Sequence, residues 1–268
     1  MRNSSATARR RRFATPHFVL DGLSRVALIG VALVAWQIIS LYAIDPRFAA
    51  LLPPVQVIFV KLIQALADVD TYGHILASAT RALSGFFLAI LVAIPLGVAM
   101  GWWRSVNRVV DPFVELLRPV PPIAWIPLSV LWFGVGELQK VYIIFLGTFF
   151  PILLNTIAGV RGIDREAVYG VLTLGGKPRD VIKDVVLPGM LPVALTGVRI
   201  SIGIAWMVLV AAELTGAQSG LGYMMTMARE YVNTPVVIIG MVIVGALGFL
   251  SDRIMRYVQQ RLTPWDVH

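Results

Sequence analysis

The chain has 268 residues, of which 57% are hydrophobic and only 14% are charged, and its mean hydropathy is +0.79. A soluble protein of this length needs far more charge to cover its surface, whereas helices that face lipid need almost none, so the composition predicts an integral membrane protein. The chain has no cysteine and only three histidines, which excludes disulfides and thiolate metal sites and argues against any metal centre.

Six apolar runs are long enough to cross a bilayer as helices, at about 20 residues per crossing. They are too long and too evenly apolar for barrel strands, and helices satisfy every backbone group in lipid. The sequence therefore predicts an all-α bundle of six transmembrane helices, at about residues 26–43, 79–101, 112–133, 141–160, 192–214 and 235–255.

Lysine and arginine fall mainly on one side of this predicted bundle, in the segments that precede, connect or follow the runs. That side carries Arg2, Arg9, Arg10, Arg11, Arg12, Arg25, Arg104, Arg108, Arg161, Arg165, Lys177, Arg179, Lys183, Arg253, Arg256 and Arg261; the other carries Arg47, Lys61, Arg81, Lys140 and Arg229. Because cytoplasmic loops are rich in lysine and arginine, both termini and the loop 161–190 are predicted to be cytoplasmic. This topology accounts for the net charge of +8 without a nucleic-acid partner.

The N-terminal region has two interpretations. A basic stretch before an apolar run is typical of a cleaved signal peptide, but this run is long, contains Trp36 and Gln37 and lacks a small-residue cleavage site, which favours an uncleaved anchor. We predict a disordered basic cytoplasmic tail at 1–16, then a first transmembrane helix and an external amphipathic segment at 17–77. A helix from Pro54 to Leu66 would either lie at the outer interface or pack against the bundle.

The loop 161–190 is the only long hydrophilic interruption within the apolar region, and its residues predict a helix, a break and a second helix. Asp164 suits an N-cap for a helix over 165–174, and Gly175 and Gly176 are expected to take the left-handed conformation that ends it. Pro178 suits the first turn of a second helix, which Pro188 would end. Such a helical elbow could dock one face against a soluble partner.

The string GVRGIDREAVYGVLTLGGKPRDVIKDVVLPGMLPVALTGVRISIGIAW resembles the signature loop of permeases of ATP-binding-cassette (ABC) importers, the binding-protein-dependent transport family. Matching positions are Asp164, Leu174, Gly175, Leu187, Pro188, Pro192, Gly197 and Arg199. Three further stretches are similar to the nitrate, sulfonate and taurine subgroup: RALSGFFLAILVAIPLGVAMG, RPVPPIAWIPLSVLWFGVGE and LVAAELTGAQSGLGYMM. One position departs from the family pattern: Tyr169 stands where the glutamate of a Glu-Ala-Ala triplet is expected, and Glu166 lies three positions early.

The resemblance implies a MetI-like permease bundle at 78–258, followed by a cytoplasmic tail at 259–268. It also implies a multi-pass protein of the bacterial inner membrane that works as a homodimer with a cytoplasmic ABC ATPase dimer and a periplasmic or lipid-anchored solute-binding protein. ATP and Mg²⁺ would bind to the ATPase, and this chain would hold no cofactor or metal and have no catalytic residue. The expected ATPase-coupling residues are Asp164, Glu166, Tyr169, Leu174, Gly175, Gly176, Arg179, Lys183, Leu187 and Pro188.

Ionisable residues within apolar runs are further candidates, because their burial in a membrane is costly. Glu213 is expected near the outer end of its helix, either pairing with another helix or lining the pathway. Arg199 lies about two turns into the same helix and would either reach toward the cytoplasm or line the pathway. Gly216, Gly220 and Gly222 predict a tight external turn, which the resemblance places near an outer gate.

Two other classes of protein remain possible from the residues alone. An ion-driven secondary transporter would need an ionisable group at mid-membrane, and no candidate lies clearly there. A membrane-embedded enzyme would need clustered His, Asp or Glu at a membrane face, and no such cluster is visible. The segment from Gly170 to Lys177 is a poor phosphate-binding loop, because Pro178 stands where Ser or Thr is required.

Overall fold

The computed structural model describes residues 17–43 and 51–265, and every regular element in those ranges is helical. The predicted tail at 1–16 lies outside the described residues. The chain forms two units, one ending at Phe59 and the other beginning at Val60. In the first unit, α1 (His17–Ile38) continues as a π-helical segment, Ile39–Ala43.

Side chains of α1 bond to the segment that leads into α2 (Val55–Ala67). The indole nitrogen of Trp36 donates to the carbonyl of Pro53, Ser40 donates to the carbonyl of Leu52, and the amide oxygen of Gln37 accepts from the backbone N–H of Val55. These bonds satisfy backbone groups at and just before the first residue of α2, where the helix itself offers no hydrogen-bond partner. A helix is thus present at Val55–Ala67, where one was predicted from Pro54 to Leu66, and none of its residues is buried; its position at the outer interface stays a prediction.

The second unit continues α2 and contains the remaining helices. They are α3 (Val69–Trp102), α4 (Arg104–Leu117), a 3₁₀ turn (Pro122–Trp125) with α5 (Ile126–Phe133), α6 (Glu137–Arg161), α7 (Arg165–Thr173), α8 (Pro178–Val181), a π-helical turn (Ile182–Val186), α9 (Leu187–Glu213), α10 (Leu221–Glu230) and α11 (Thr234–Leu262). Within the described ranges, four helices are long and apolar enough to cross a membrane: α3, α6, the continuous helix Pro178–Glu213, and α11.

The predicted third span is not one straight helix. The segments Arg104–Leu117 and Pro122–Phe133 meet at 87°, so they form either a fifth, broken span or a re-entrant loop. Pro119, Pro121 and Pro122 lie at the bend, where each removes a backbone donor and its ring collides with the preceding helical turn. Hydropathy averaged over 112–133 conceals this break.

Helix α6 lies at the centre of the core and packs against α3 and α9. Close approach of α3 to α6 depends on small residues: a Cβ atom placed on Gly85 or Gly97 would lie 2.7 Å from the Cβ of Ile144 or Thr156, respectively. Small residues at such crossings let helices pack tightly without a hydrophobic driving force in lipid. The core therefore holds α3, α6 and α9 as one block.

The prediction that Pro188 ends the second elbow helix was wrong. The chain stays helical from Pro178 to Glu213, and the π-helical turn at Ile182–Val186 immediately precedes the proline. There the N–H of Leu187 bonds to the carbonyl of Ile182, five residues back. A widened turn of this kind accommodates the missing donor and the bulk of a proline without ending the helix. The second part of the elbow is thus an extension of the membrane helix α9.

Candidate functional site

The elbow, defined here as residues 164–186, lies at the start of α9. The side chain of Asp164 caps α7, because its Oδ1 accepts from the N–H of Glu166 at 2.9 Å. The carboxylate of Asp180 accepts from the N–H of Lys177 at 2.7 Å and so caps α8. Both caps satisfy helix N-terminal donors that would otherwise lack a partner.

The two glycines of the elbow have different roles. Gly175 has φ of +86°, as predicted, and its N–H bonds to the carbonyl of Leu172. The N–H of Gly176 bonds to the carbonyl of Val171, which completes a Schellman motif. Gly176 itself does not have a positive φ, so that part of the prediction was wrong; a Cβ there would lie 2.6 Å from the side chain of Val171.

The elbow has one face fixed to the bundle and one face exposed. Val181 and Val186 are buried and pack in a cluster with Val160 of α6 and Met190 of α9. The exposed face combines basic and apolar side chains. It carries Arg165, Tyr169, Leu172, Leu174, Arg179 and Lys183, and Leu174 is 90% exposed. An apolar side chain this exposed beside charged residues is typical of a protein contact surface.

An ion cluster lies at the opposite end of α9, 26 residues or about 39 Å of helix from Leu187, and is buried except at Glu137, whose side chain is 65% exposed. It is defined here as Ser78, Arg81, Glu137, Glu213 and Ser219. Nη1 of Arg81 donates to Glu213 at 2.7 Å, and its Nε and Nη2 donate to the two carboxylate oxygens of Glu137. Arg81 and Glu213 are 4% and 1% exposed. Opposite charges satisfied in this way can remain ionised in a nonpolar interior.

The ion cluster fixes the turn between α9 and α10. Glu213 also accepts from the hydroxyl of Ser78 and from the N–H of Gly222, while Arg81 donates to the carbonyl and the hydroxyl of Ser219. Gly216 and Gly220 have positive φ, as a tight turn requires, but Gly222 lies within α10 and directly against Glu213. The predicted turn therefore ends at Gly220, where an unpredicted helix begins.

These contacts favour helix pairing over pathway lining for Glu213. Its two oxygens accept from a hydroxyl, a guanidinium and a backbone N–H, and the residue is almost completely buried. Three donors therefore fill most of the about four acceptor positions of this carboxylate, so its geometry gives no support to an ion-driven mechanism.

Arg199 does not simply extend toward solvent. Its Nε and Nη2 donate to the two carboxylate oxygens of Asp252 in α11, at 2.6 and 3.2 Å, and both side chains are about one-third exposed. Arg199 therefore links α9 to α11 and keeps an exposed edge, where Arg256 approaches the same carboxylate at 3.5 Å.

Sequence reasoning missed Arg81, Ser78, Glu137 and Asp252. Arg81 counted only as a charge on one side of the bundle, although it lies within α3, 12 residues after Val69, and stands next to an apolar run. That position was the available signal, since an arginine inside a membrane helix needs a buried partner. The partner could not be identified, because Glu213 is 132 residues away.

Comparison with known proteins identifies the family. The profile of the family described as "Binding-protein-dependent transport system inner membrane component" matches residues 85–264. The chain belongs to this family. The resemblance of the elbow sequence to ABC importer permeases is therefore confirmed.

Relatives of this chain include proteins that are named as permeases. The chain is 43% identical over 246 residues to an ABC transporter permease protein of Methanocaldococcus jannaschii, covering 90% of this chain and 91% of the relative. It is 39% identical to the taurine transport system permease protein TauC of Escherichia coli K12, covering 98% of this chain and 96% of the relative. The predicted function, a permease subunit of an ABC transporter, is confirmed.

A solved structure supports the fold. An inward-facing structure of the MetNI methionine ABC transporter superposes with a TM-score of 0.56 at 20% identity, covering 68% of this chain and 93% of the matched one. At this identity the likeness concerns the fold alone. The all-helical MetI-like architecture is thus shown, with four spans or, counting the bent pair, five in the described residues.

Proposed function

We propose that this chain is the membrane-spanning half of an ABC importer whose elbow receives force from a separate cytoplasmic ATPase. The observation that carries the proposal is the geometry of the elbow. It exposes Leu174 and Tyr169 on a capped, sharply turned segment, and its second part is continuous with the membrane helix α9. A protein that moved this surface would therefore move α9 directly.

The proposed assembly contains two copies of this chain with six membrane helices each, the first contributed by α1. Two ATPase subunits, which hold ATP and Mg²⁺, grip the two elbows, and a periplasmic or lipid-anchored binding protein delivers the solute to the other side. Both termini lie in the cytoplasm, the protein resides in the inner membrane, and membrane lipid surrounds its outer face. The basic residues at the elbow end of the bundle support this orientation.

The proposed mechanism uses the permease as a two-state element. ATP binding closes the ATPase pair and draws the elbows together, which favours an outward-facing bundle, and hydrolysis resets it. The chain catalyses no chemistry; hydrolysis belongs to the partner. The solute is a small anion or zwitterion of the nitrate, sulfonate or taurine type, a proposal supported by the similarity to the taurine permease.

The test replaces one exposed side chain of the elbow. In a chain co-expressed with its cognate ABC ATPase, Leu174→Asp is expected to reduce co-purification of the ATPase at least tenfold, because the apolar contact becomes charged. Folding should be unchanged, since Leu174 is 90% exposed. Tyr231→Asp is the matched control, because Tyr231 is 82% exposed beyond the far end of α10. Equal co-purification of the ATPase with wild type and Leu174→Asp would overturn the proposal.

A further inference from the structure

A basic cavity of about 790 Å³ lies beside the elbow, and two of its lining residues, Arg165 and Tyr169, also belong to the exposed face of the elbow. Its walls are the end of α3, the first turns of α4, the end of α6 and one face of α7. Four arginines line it: Arg104 and Arg108 from α4, and Arg161 and Arg165 from the α6–α7 connection. In each pair the residues are four apart, so the two arginines of α4 project from one helix face.

The cavity concentrates positive charge, and none of the described residues that line it is Asp or Glu. Within residues 17–43 and 51–265, the ion pairs closer than 4.0 Å involve Arg81, Arg199 and Arg256, and none involves the four cavity arginines. The one direct bond to a neighbour that the cavity arginines make is from Nη2 of Arg161 to the Oδ1 of Asn107, at 2.7 Å. Like charges around a shared space raise the free energy of the empty cavity and attract an anion.

The side chains also suit a particular kind of anion. Guanidinium groups bind phosphate and sulfonate oxygens with paired, charge-assisted hydrogen bonds. Apolar side chains, including Met100, Trp102 and Val160, line the same space. All four arginines are exposed, so the bound group would contact the apolar wall on one side and solvent on the other.

We propose that this cavity is a binding site for an oxyanion group, which bridges the α3–α4 corner and the start of the elbow. The group is the phosphate of an anionic phospholipid or a free phosphate or sulfate ion, since both present the same oxygens to the arginines. Anionic lipids attract basic residues at the cytoplasmic surface, where the charge pattern places this cavity. A bound oxyanion would contact Arg104 and Arg108 on one side and Arg161 and Arg165 on the other. It would therefore restrict movement of α7 relative to the bundle.

The test measures thermal unfolding of the full purified chain by tryptophan fluorescence. One arm titrates sodium sulfate into delipidated detergent solution, with sodium chloride at equal ionic strength as reference. The other compares phosphatidylcholine nanodiscs with and without phosphatidylglycerol. A saturable rise in melting temperature with sulfate indicates a free-ion source, and a rise with phosphatidylglycerol alone indicates a lipid source; either result supports the site if it depends on the cavity arginines.

That dependence is tested with charge-removing variants. Arg104→Gln/Arg108→Gln is expected to raise the half-saturating anion or lipid concentration at least about tenfold, because charge-assisted bonds are lost. Arg253→Gln/Arg261→Gln is the matched control, since each of these arginines lies over its own aromatic ring, Phe249 or Tyr257, outside the cavity. The control should keep the wild-type response, and Arg104→Lys/Arg108→Lys should lose less of it than the glutamine variant, because lysine keeps the charge but not the paired hydrogen bonds.

Two results would overturn the proposal: no saturable stabilisation in either arm, or a wild-type response in the glutamine double variant. The single variant Arg108→Gln provides the same comparison if the double variant does not fold. Because Arg104 and Arg108 lie outside the elbow, loss of anion binding with normal ATPase co-purification separates this site from the proposed coupling function.

Discussion

Arg81 and Glu213 show how a membrane protein can bury two charges. Arg81 keeps Glu137 and Glu213 as partners, and Glu213 keeps the hydroxyl of Ser78 and the N–H of Gly222, so no charge lacks a bond. Such a pair adds little stability compared with apolar packing, but removal of one member leaves the other charge uncompensated. The ion cluster therefore specifies that the turn between α9 and α10 packs against α3.

This arrangement predicts the effect of Glu213→Gln. The amide has one acceptor and one donor group in place of two acceptors, so at least one of the three donors would face an NH₂ group. We expect a loss of about 3 kcal/mol in stability, measured as a lower melting temperature in detergent. Glu230→Gln is the control, because Glu230 is exposed, and it should melt like wild type. An unchanged melting temperature for Glu213→Gln would show that the cluster does not stabilise the fold.

Tyr169 gives a second residue-scale prediction. It stands where the family resemblance leads us to expect glutamate, and its side chain is 60% exposed on the proposed docking face. If Tyr169 is matched to its own ATPase, Tyr169→Glu should reduce ATP-dependent uptake several-fold while membrane insertion stays normal. Uptake of the solute retained by the cognate binding protein measures this effect, and a rise in uptake would refute the matching.

At the scale of elements, the elbow is a short helix joined by a Schellman turn to a long one. The turn depends on Gly175, whose φ of +86° is strained for any residue with a Cβ and most of all for a β-branched one. The angle between α7 and α8 is therefore set by the backbone conformation of one residue, Gly175.

Gly175→Val is accordingly expected to abolish ATPase-coupled uptake while leaving insertion in the membrane intact. Valine cannot adopt the φ of Gly175 without strain, so the angle between α7 and α8 would change. The strain comes from the backbone alone, because no atom lies within 4 Å of a Cβ placed at this position. The same substitution at Gly170 is the control, because that position is within α7, has no positive φ and has open space around it. Normal uptake by Gly175→Val would show that the conformation of this turn is not needed for coupling.

The sequence predicted the elements that depend on local signals. Residue type and periodicity predict the N-cap at Asp164, the positive φ of Gly175 and the apolar spans in α3, α6, α9 and α11. Two features could not be predicted this way: the helix continuing through Pro188, and helix α10. Each depends on tertiary packing, which can overrule a proline or stabilise a short polar helix. A bend at Pro119, Pro121 and Pro122 follows from residue type, but its angle of 87° does not.

At the scale of the whole molecule, α9 connects the two sites. It begins directly after the elbow, and its last residue, Glu213, belongs to the ion cluster, so the core that packs α9 against α6 joins the two ends. The close contacts of Gly85 and Gly97 with α6 make α3, α6 and α9 one block. Movement of the elbow should therefore reach the turn at Gly220 as a shift of this block.

That mechanism requires the two sites to face opposite sides of the membrane, which single-cysteine labelling tests directly. The chain has no native cysteine, so an introduced thiol is the sole target of a maleimide. In intact cells, a membrane-impermeant maleimide should label the cysteine of Glu230→Cys, which is the last residue of α10, the helix that begins at the ion cluster. It should label Lys177→Cys in the elbow only after the membrane is permeabilised. Because both positions are exposed, equal labelling of the two in intact cells would place both on one side and exclude transmission along α9.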